Sequence, residues 1–259
     1  DKEVIKYISE NTDTITFNWF CDDDWRFDAF SKYWAPCFNF VSTTSVDAYK
    51  GYKEIGYDNA IMTQWACNHF YYKKFDLKKI HDVTFVGMPH GVRREWVSEL
   101  ISSGINLKYW GYFWKPIPTN FFFKSFWYFP KRIKFLKKFY EQTINNIKNS
   151  TRISQDDMIK VFNQSKINLN LNFSSNKKTV EIKGRNFEIP GCEGFILTNN
   201  APHLEEYYNI GKEIVCFEDM EDLKEKIEDV LNHDNEREKI ALAGDERTLK
   251  VHTYEKRFK

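Results

Sequence analysis

Seven short apolar runs punctuate the chain: "TITFNWF" (14–20), "FNFVSTT" (38–44), "DVTFVG" (82–87), "INLKYWGYF" (105–113), "INLNLNF" (167–173), "GFILTN" (194–199) and "EIVCF" (213–217). Each is the length of a strand, and the longer stretches between them carry helical period. That alternation is the pattern of strands joined by crossover helices in a largely parallel sheet. The fold class read from it is α/β.

Two of the intervening stretches are explicit enough to place. In "SQDDMIKVFNQS", Ser154 precedes Asp157 by three residues, the spacing with which a side-chain oxygen satisfies the free amides of a helix start. In "EDMEDLKEKIEDVLNHD", Leu223, Ile227, Val230 and Leu231 share one stripe, with charge on the remaining surface. Both are expected to pack on a sheet.

A chain of 259 residues is comfortable as two domains. The boundary is expected in "FYYKKFDLKKIHDVTFVG", where a basic, aromatic linker gives way to a strand starting near Val83, so the reading is 1–80 and 81–259. The first part is short for a doubly wound domain and lacks a leading strand, and it is read as an incomplete N-terminal domain.

Lysine and arginine total 38 against 37 acids, so no global field draws in nucleic acid. Five cysteines form no CxxC pair and leave one over, which favours reduced thiols in a cytoplasm over a disulfide framework or a zinc site. The longest apolar runs fall well short of the roughly 20 residues of a membrane span. One segment, 119–142, interleaves aromatics and lysines around Pro130. It reads either as a peripheral contact with an anionic membrane or phosphate-rich acceptor, or as amphipathic elements with aromatics inside and lysines in water.

"FCDDDWRF" follows the first strand. Consecutive aspartates suit a divalent cation, but three successive side chains do not converge on one centre, and one of them is explained as a helix cap. No metal site is expected. A hydrolase triad has no support either, because no GxSxG turn occurs.

Taken together, "HDVTFVG...RREWVSELISSGINLKYWGYFW", "QSKINLNLNFS" and "KGRNFEIPGCEGFILTNN...GKEIVCFEDMEDLKEKIEDVLNHD" resemble glycosyltransferases of the spore-maturation CgeB-like type, which are GT-B proteins similar to family 4 glycosyltransferases. The resemblance covers about Thr14 to the end and is strongest from Lys166 to Arg257. It implies two Rossmann-like domains with parallel sheets facing a cleft, the nucleotide sugar on the C-terminal one and the acceptor largely on the N-terminal one. Physics puts such a ligand beyond the carboxyl ends of the strands, where helix N-termini offer amides to phosphate.

On this resemblance Glu188 falls where the family's second sugar-nucleotide glutamate stands, and its carboxylate is expected to grip the ribose diol. The earlier family glutamate would fall at Val180, with Glu181 one residue out of step, which puts a two-glutamate mechanism in doubt. Lys166 is expected on the diphosphate. Gly87 would allow the backbone close to it, Arg93 or Arg94 would add charge-assisted bonds, and Asn199 and Asn200 are placed on the same nucleotide-sugar side. The aspartate block is implied to be a cleft-facing N-domain loop, with Asp22 and Trp25 on the acceptor side and Asp23 as a candidate base. His90 is read as incidental and His252 as hinge packing beside the last crossing helix.

The expected function is transfer of a sugar from a nucleoside diphosphate sugar to a glycan, protein or lipid-linked acceptor, with no cofactor and no metal. The rivals are a non-catalytic nucleotide-sugar or glycan-binding module and a GT-B epimerase.

Overall fold

The computed structural model describes residues 1–114, 152–175 and 179–259. The aromatic and lysine segment at 119–142 lies outside the described residues.

The described residues form two parallel sheets. The smaller is built from β1 (Phe17–Phe20), β2 (Phe40–Thr43) and β3 (Ala60–Met62) in that spatial order. Ahead of it runs α1 (Lys2–Asn11), whose Asp1 cap accepts from the Glu3 amide. Between β1 and β2 come α2 (Asp23–Arg26), a π turn and α3 (Lys32–Trp34), and α4 (Val46–Glu54) joins β2 to β3. Phe20, Val41 and Ala60 pack against Ala48 and Tyr52 of α4 as one small core.

The larger sheet contains β4 (His81–Val86), β5 (Leu107–Trp110), β6 (Ser165–Asn170), β7 (Ile196–Asn199) and β8 (Val215–Phe217). Its order is β5-β4-β6-β7-β8, every pairing parallel. The direction of travel across the sheet reverses between β4 and β6, and a ligand crevice opens beyond the carboxyl ends of strands at such a point.

Helices cover both faces, as a parallel sheet requires. On one side α5 (Arg93–Ser102), α8 (Met220–Asn232) and α9 (Asp234–Val251) bury Val97, Leu100, Leu223, Ile227 and Ala241 against Val83, Phe85, Ile167, Leu169, Leu171 and Phe217. On the other, α6 (Gln155–Gln164) and α7 (Arg185–Glu188) bury Met158, Ile159, Phe162 and Phe187 against Ile196 and Tyr208. Each fully buried large side chain here contributes about 1.5–3 kcal/mol of transfer free energy. The predicted cap forms, Ser154 accepting from the Asp157 amide at 3.0 Å, and Asp219 starts α8 in the same way by accepting from the Glu221 and Asp222 amides.

The asparagines of β6 do not face water. Ile167, Leu169 and Leu171 fill the core, and Asn168, Asn170 and Asn172 are buried as well. They lie beneath α6 and α7 and are satisfied by one another and by their neighbours. Asn170 donates to Asn186 at 3.2 Å and to Thr198 at 3.1 Å, Asn172 donates to Thr198 and to the Asn199 carbonyl, and Asn168 donates to the carbonyls of Phe162 and Phe195.

The two sheets are joined twice. Residues 63–80 lead from one to the other, and the chain end returns: the Cys67 amide donates to the His252 carbonyl at 2.8 Å and the Tyr254 amide to the Cys67 carbonyl at 3.0 Å. Just beyond, α10 (Tyr254–Arg257) and Phe258 set Tyr254 and Phe258 edge-on to Trp19 of β1, which also packs on Trp65. His252 is buried here, its Nε2 2.7 Å from the Tyr207 carbonyl, and burial lowers its pKa to about 4, so it is neutral. That is packing at the junction, as expected of it.

Gly244 on α9 lies against the backbone of Glu213, so that a Cβ there would overlap the Glu213 carbonyl oxygen. Gly244→Ala is expected to lower stability by about 1–3 kcal/mol, measured as a shift in the urea midpoint at unchanged slope.

Candidate functional site

The loop after β4, the loop after β6 and the turn leading into α7 meet at the crevice between β4 and β6. Arg93 ties the first two together. Its Nη2 donates to the Leu171 carbonyl at 2.7 Å and the Phe173 carbonyl at 2.9 Å, and its Nη1 lies 2.9 Å from His90 Nε2. A guanidinium has only donors, so His90 Nε2 accepts and the ring carries its proton on Nδ1. That Nδ1 is buried and has no hydrogen-bond partner among the described residues. Burial, then Arg93 and Lys183, bring the His90 pKa down to about 4, leaving a neutral donor beside the crevice.

The turn into α7 is held from below. Asn186, fully buried, accepts from the Lys183 amide at 2.9 Å and from Asn170 at 3.2 Å, so the β6 network fixes where Lys183, Arg185 and Glu188 stand. Glu181 and Lys183 form an ion pair at 2.5 Å. Glu181 is buried, and its pKa rises to about 7, through burial first, with Lys183 opposing and a hydrogen bond to Asp24 adding to the rise. Asp24 lies in α2, which follows the loop after β1, so this contact crosses from one sheet's side to the other's. Cys21 on the same loop registers the crossing: burial, Asp22, Asp23 and Glu181 raise its thiol to about 11, with Lys183 opposing.

Glu188 is 17% exposed and ion-paired with Arg185. Its carboxylate lies beside the Tyr72 hydroxyl, and the Tyr72 phenol is raised by burial and then by Glu188. Tyr254 also feels Glu188. The group therefore stands at the junction of the larger sheet with the linker and the returning chain end, one edge of it taken by Arg185.

Several expected residues stand elsewhere. Lys166 opens β6 and bonds Asp82 at 2.8 Å, which sets it at the edge where strands begin, opposite the crevice. Asp23 points into the small core, where Ser31 and the Tyr52 hydroxyl donate to it, and burial raises its pKa; a carboxylate so engaged holds the loop rather than meeting an acceptor. Arg94 binds the carbonyls of Phe113 and Trp114 and ties down the segment after β5. Arg93, as described, binds backbone. Gly87 is required by the ring of Phe85, which a Cβ would strike. The Asn199 side chain accepts from the Asn172 amide at 2.7 Å and belongs to the buried network.

Others remain available. Asn200 is exposed just past β7. Asp22 occupies the cap position of α2 without a side-chain capping bond to the helix, and Trp25 is 40% exposed beside Arg26. Sequence reading passed over Lys183, Arg185, Asp24 and the partnering of His90. The signal for the first two was two basic residues flanking Gly184 directly after a buried parallel strand and its loop. Among the described residues no group of three His, Cys, Asp or Glu is arranged to hold a metal, and all five cysteines are free.

Residues 93–259 match the family model described as Glycosyl transferase-like. Spore protein CgeB of Bacillus subtilis (strain 168) is 25% identical over 226 residues, covering 83% of this chain and 64% of CgeB. HepE of Anabaena, solved in complex with UDP and glucose, superposes with a TM-score of 0.62 at 11% identity over 98% of this chain and 72% of HepE. Sucrose-phosphate synthase from Thermosynechococcus elongatus gives 0.53 at 12% identity over 98% of this chain and 63% of the synthase. The chain thus spans under two thirds of the length of CgeB and of the synthase, and its fold is the parallel-sheet α/β arrangement of the GT-B glycosyltransferases.

Glu181 carries a testable pH dependence. Its pKa in the folded protein, about 7, lies above its ordinary value of 4.5, so its contribution to stability is complete below 4.5 and is lost as pH rises through 7. Glu181→Gln keeps an oxygen for Lys183 but has no proton to lose. Unfolding free energies measured between pH 4.5 and 7 are expected to fall less steeply in the variant than in the parent.

Proposed function

The chain belongs to the Glycosyl transferase-like family, and from that premise we propose that it transfers a sugar from a nucleoside diphosphate sugar to a glycan acceptor at the crevice between β4 and β6. The observation that carries the reading is the gathering of Lys183, Arg185, Glu188 and the His90 donor at the strand-end edge of the larger sheet, facing Asp22 and Asp24 of the smaller one.

In this reading Lys183 and Arg185 receive the diphosphate. Glu188, held by Arg185 and by the Tyr72 hydroxyl, turns its remaining lone pairs to the ribose hydroxyls, which donate to it. Asn200 and His90 Nδ1 supply further polar contacts to the donor, while Asp22 and Trp25 meet the acceptor. The acceptor oxygen bonds to the anomeric carbon, its proton passes to a carboxylate, and the nucleoside diphosphate departs with the electrons of the broken bond. The Glu181 and Asp24 pair stands where that proton can be held, with Glu181 titrating close to neutrality. Approach of the two sheets excludes water and fixes the reactants, and the fixed cations stabilise the charge that develops on the leaving group. The positive charge is the protein's own, and the transfer we propose continues in the presence of EDTA.

Support for the nucleotide sugar comes from the family and from neighbours crystallised with UDP; HepE with UDP and glucose is one, and a TarM mutant from S. aureus with Fondaparinux, alpha-GlcNAc-glycerol and UDP is another. Incubation of the full-length protein with labelled UDP-, GDP- and dTDP-sugars tests the reading. Transfer or hydrolysis is the expected result, whereas binding without turnover points to a binding module and an isomerised donor to an epimerase. Lys183→Gln is expected to lower kcat/KM by roughly 10²–10³-fold through loss of leaving-group stabilisation. Glu188→Ala is expected to abolish the thermal shift produced by the preferred donor; an unchanged shift would remove Glu188 from the site.

A further inference from the structure

A second cavity, of about 290 Å³, opens at the opposite edge of the larger sheet, where its strands begin. Its floor is apolar, formed by the buried Cys192, Phe195 and Ala241. Its roof is the stretch Lys74–Lys79 of the linker between the two sheets. Asn163 of α6 holds that roof down, accepting from the Phe75 amide at 2.6 Å and donating to the Lys73 carbonyl at 3.2 Å.

Four basic side chains line the space. Three already have partners: Lys74 with Glu193 at 2.5 Å, Lys166 with Asp82 at 2.8 Å and the buried Arg237 with Asp234 at 2.7 Å. Lys79 is different. It is half-buried, and among the described residues no hydrogen bond or ion pair reaches it. Burial lowers its pKa, and Arg237 lowers it further, while Glu193 and Glu238 act the other way. The wall's own acids do not neutralise it: Glu193 is engaged by Lys74, and Asp76 and Glu238 are exposed. An ammonium withdrawn from water among other cations is unfavourable unless an anion meets it.

We propose that this cavity is a binding site for a small phosphate-class anion, with Lys79 as its direct ligand beside the already paired Lys166 and Arg237. The site is separate from the crevice, because Lys166 marks the beginning of β6 and the crevice lies past its end. An anion seated here would tie the linker to β6 and α9, making it an effector of the junction between the sheets rather than a substrate.

The test is thermal unfolding of the full protein in phosphate and in chloride of matched ionic strength, repeated with glucose 1-phosphate. The parent is expected to gain about 2–4 °C in Tm with phosphate. Lys79→Met, which keeps the apolar stem and removes the unpaired charge, is expected to equal or exceed the parent's Tm in chloride and to gain nothing from phosphate. Lys183→Gln, altered in the crevice, is expected to keep the phosphate gain, which separates this site from the proposed donor site. A larger gain with glucose 1-phosphate identifies a phosphorylated metabolite as the ligand, and an equal one identifies free phosphate. Absence of a phosphate-specific gain in the parent, or the same gain in Lys79→Met, overturns the proposal.

Discussion

The asparagine network under β6 is the interaction on which the site depends. Asn170 reaches Asn186, and Asn186 in turn accepts from the Lys183 amide, so a chain of buried hydrogen bonds runs from the middle of the sheet to the turn that carries Lys183, Arg185 and Glu188. Buried amides demand partners, since each one left unmade costs about 1–3 kcal/mol. A one-residue slip of β6 would exchange the asparagines for Ile167, Leu169 and Leu171 and strand both sets. Register and site geometry are therefore set by the same bonds.

The same economy explains why so many polar groups near the crevice bind the protein itself. Arg93, Arg94, Asn199 and Asp23 each fix a loop: Arg93 joins the segments after β4 and β6, Arg94 secures the one after β5, Asn199 joins β7 to β6, and Asp23 anchors the turn after β1. Loops held this firmly present the remaining groups, Lys183, Glu181 and the His90 donor among them, with little freedom to lose on meeting a ligand.

Much of the fold was legible because strand and helix periods are local. All seven expected strands occur, six of them shortened and β4 shifted by one residue at equal length, and the cap at Ser154 lies where its spacing puts it. β3 escaped notice because "AIM" is three residues long and takes its character from pairing with β2. The site was less legible because its residues are defined by direction. Lys166 and Asn170 lie on one strand, yet only the later end of that strand meets the crevice. Asp23 and Asp24 are adjacent, yet one carboxylate enters a core and the other reaches Glu181. Glu181 looked out of step by spacing from Glu188, and its relevance comes from a contact with the other sheet that no spacing encodes.

The linker at 63–80 and the chain end that is bridged to it at Cys67 and Thr253 and goes on to pack against Trp19 of β1 have a mechanical consequence. A body attached at a single flexible point can swivel in any sense, but a second attachment a short way along leaves it only a swing, like a door on its pins. Whatever enters the crevice would then find Asp24 and Glu181 arriving along one arc each time, so that alignment of the two halves is inherited from the frame and need not be searched for.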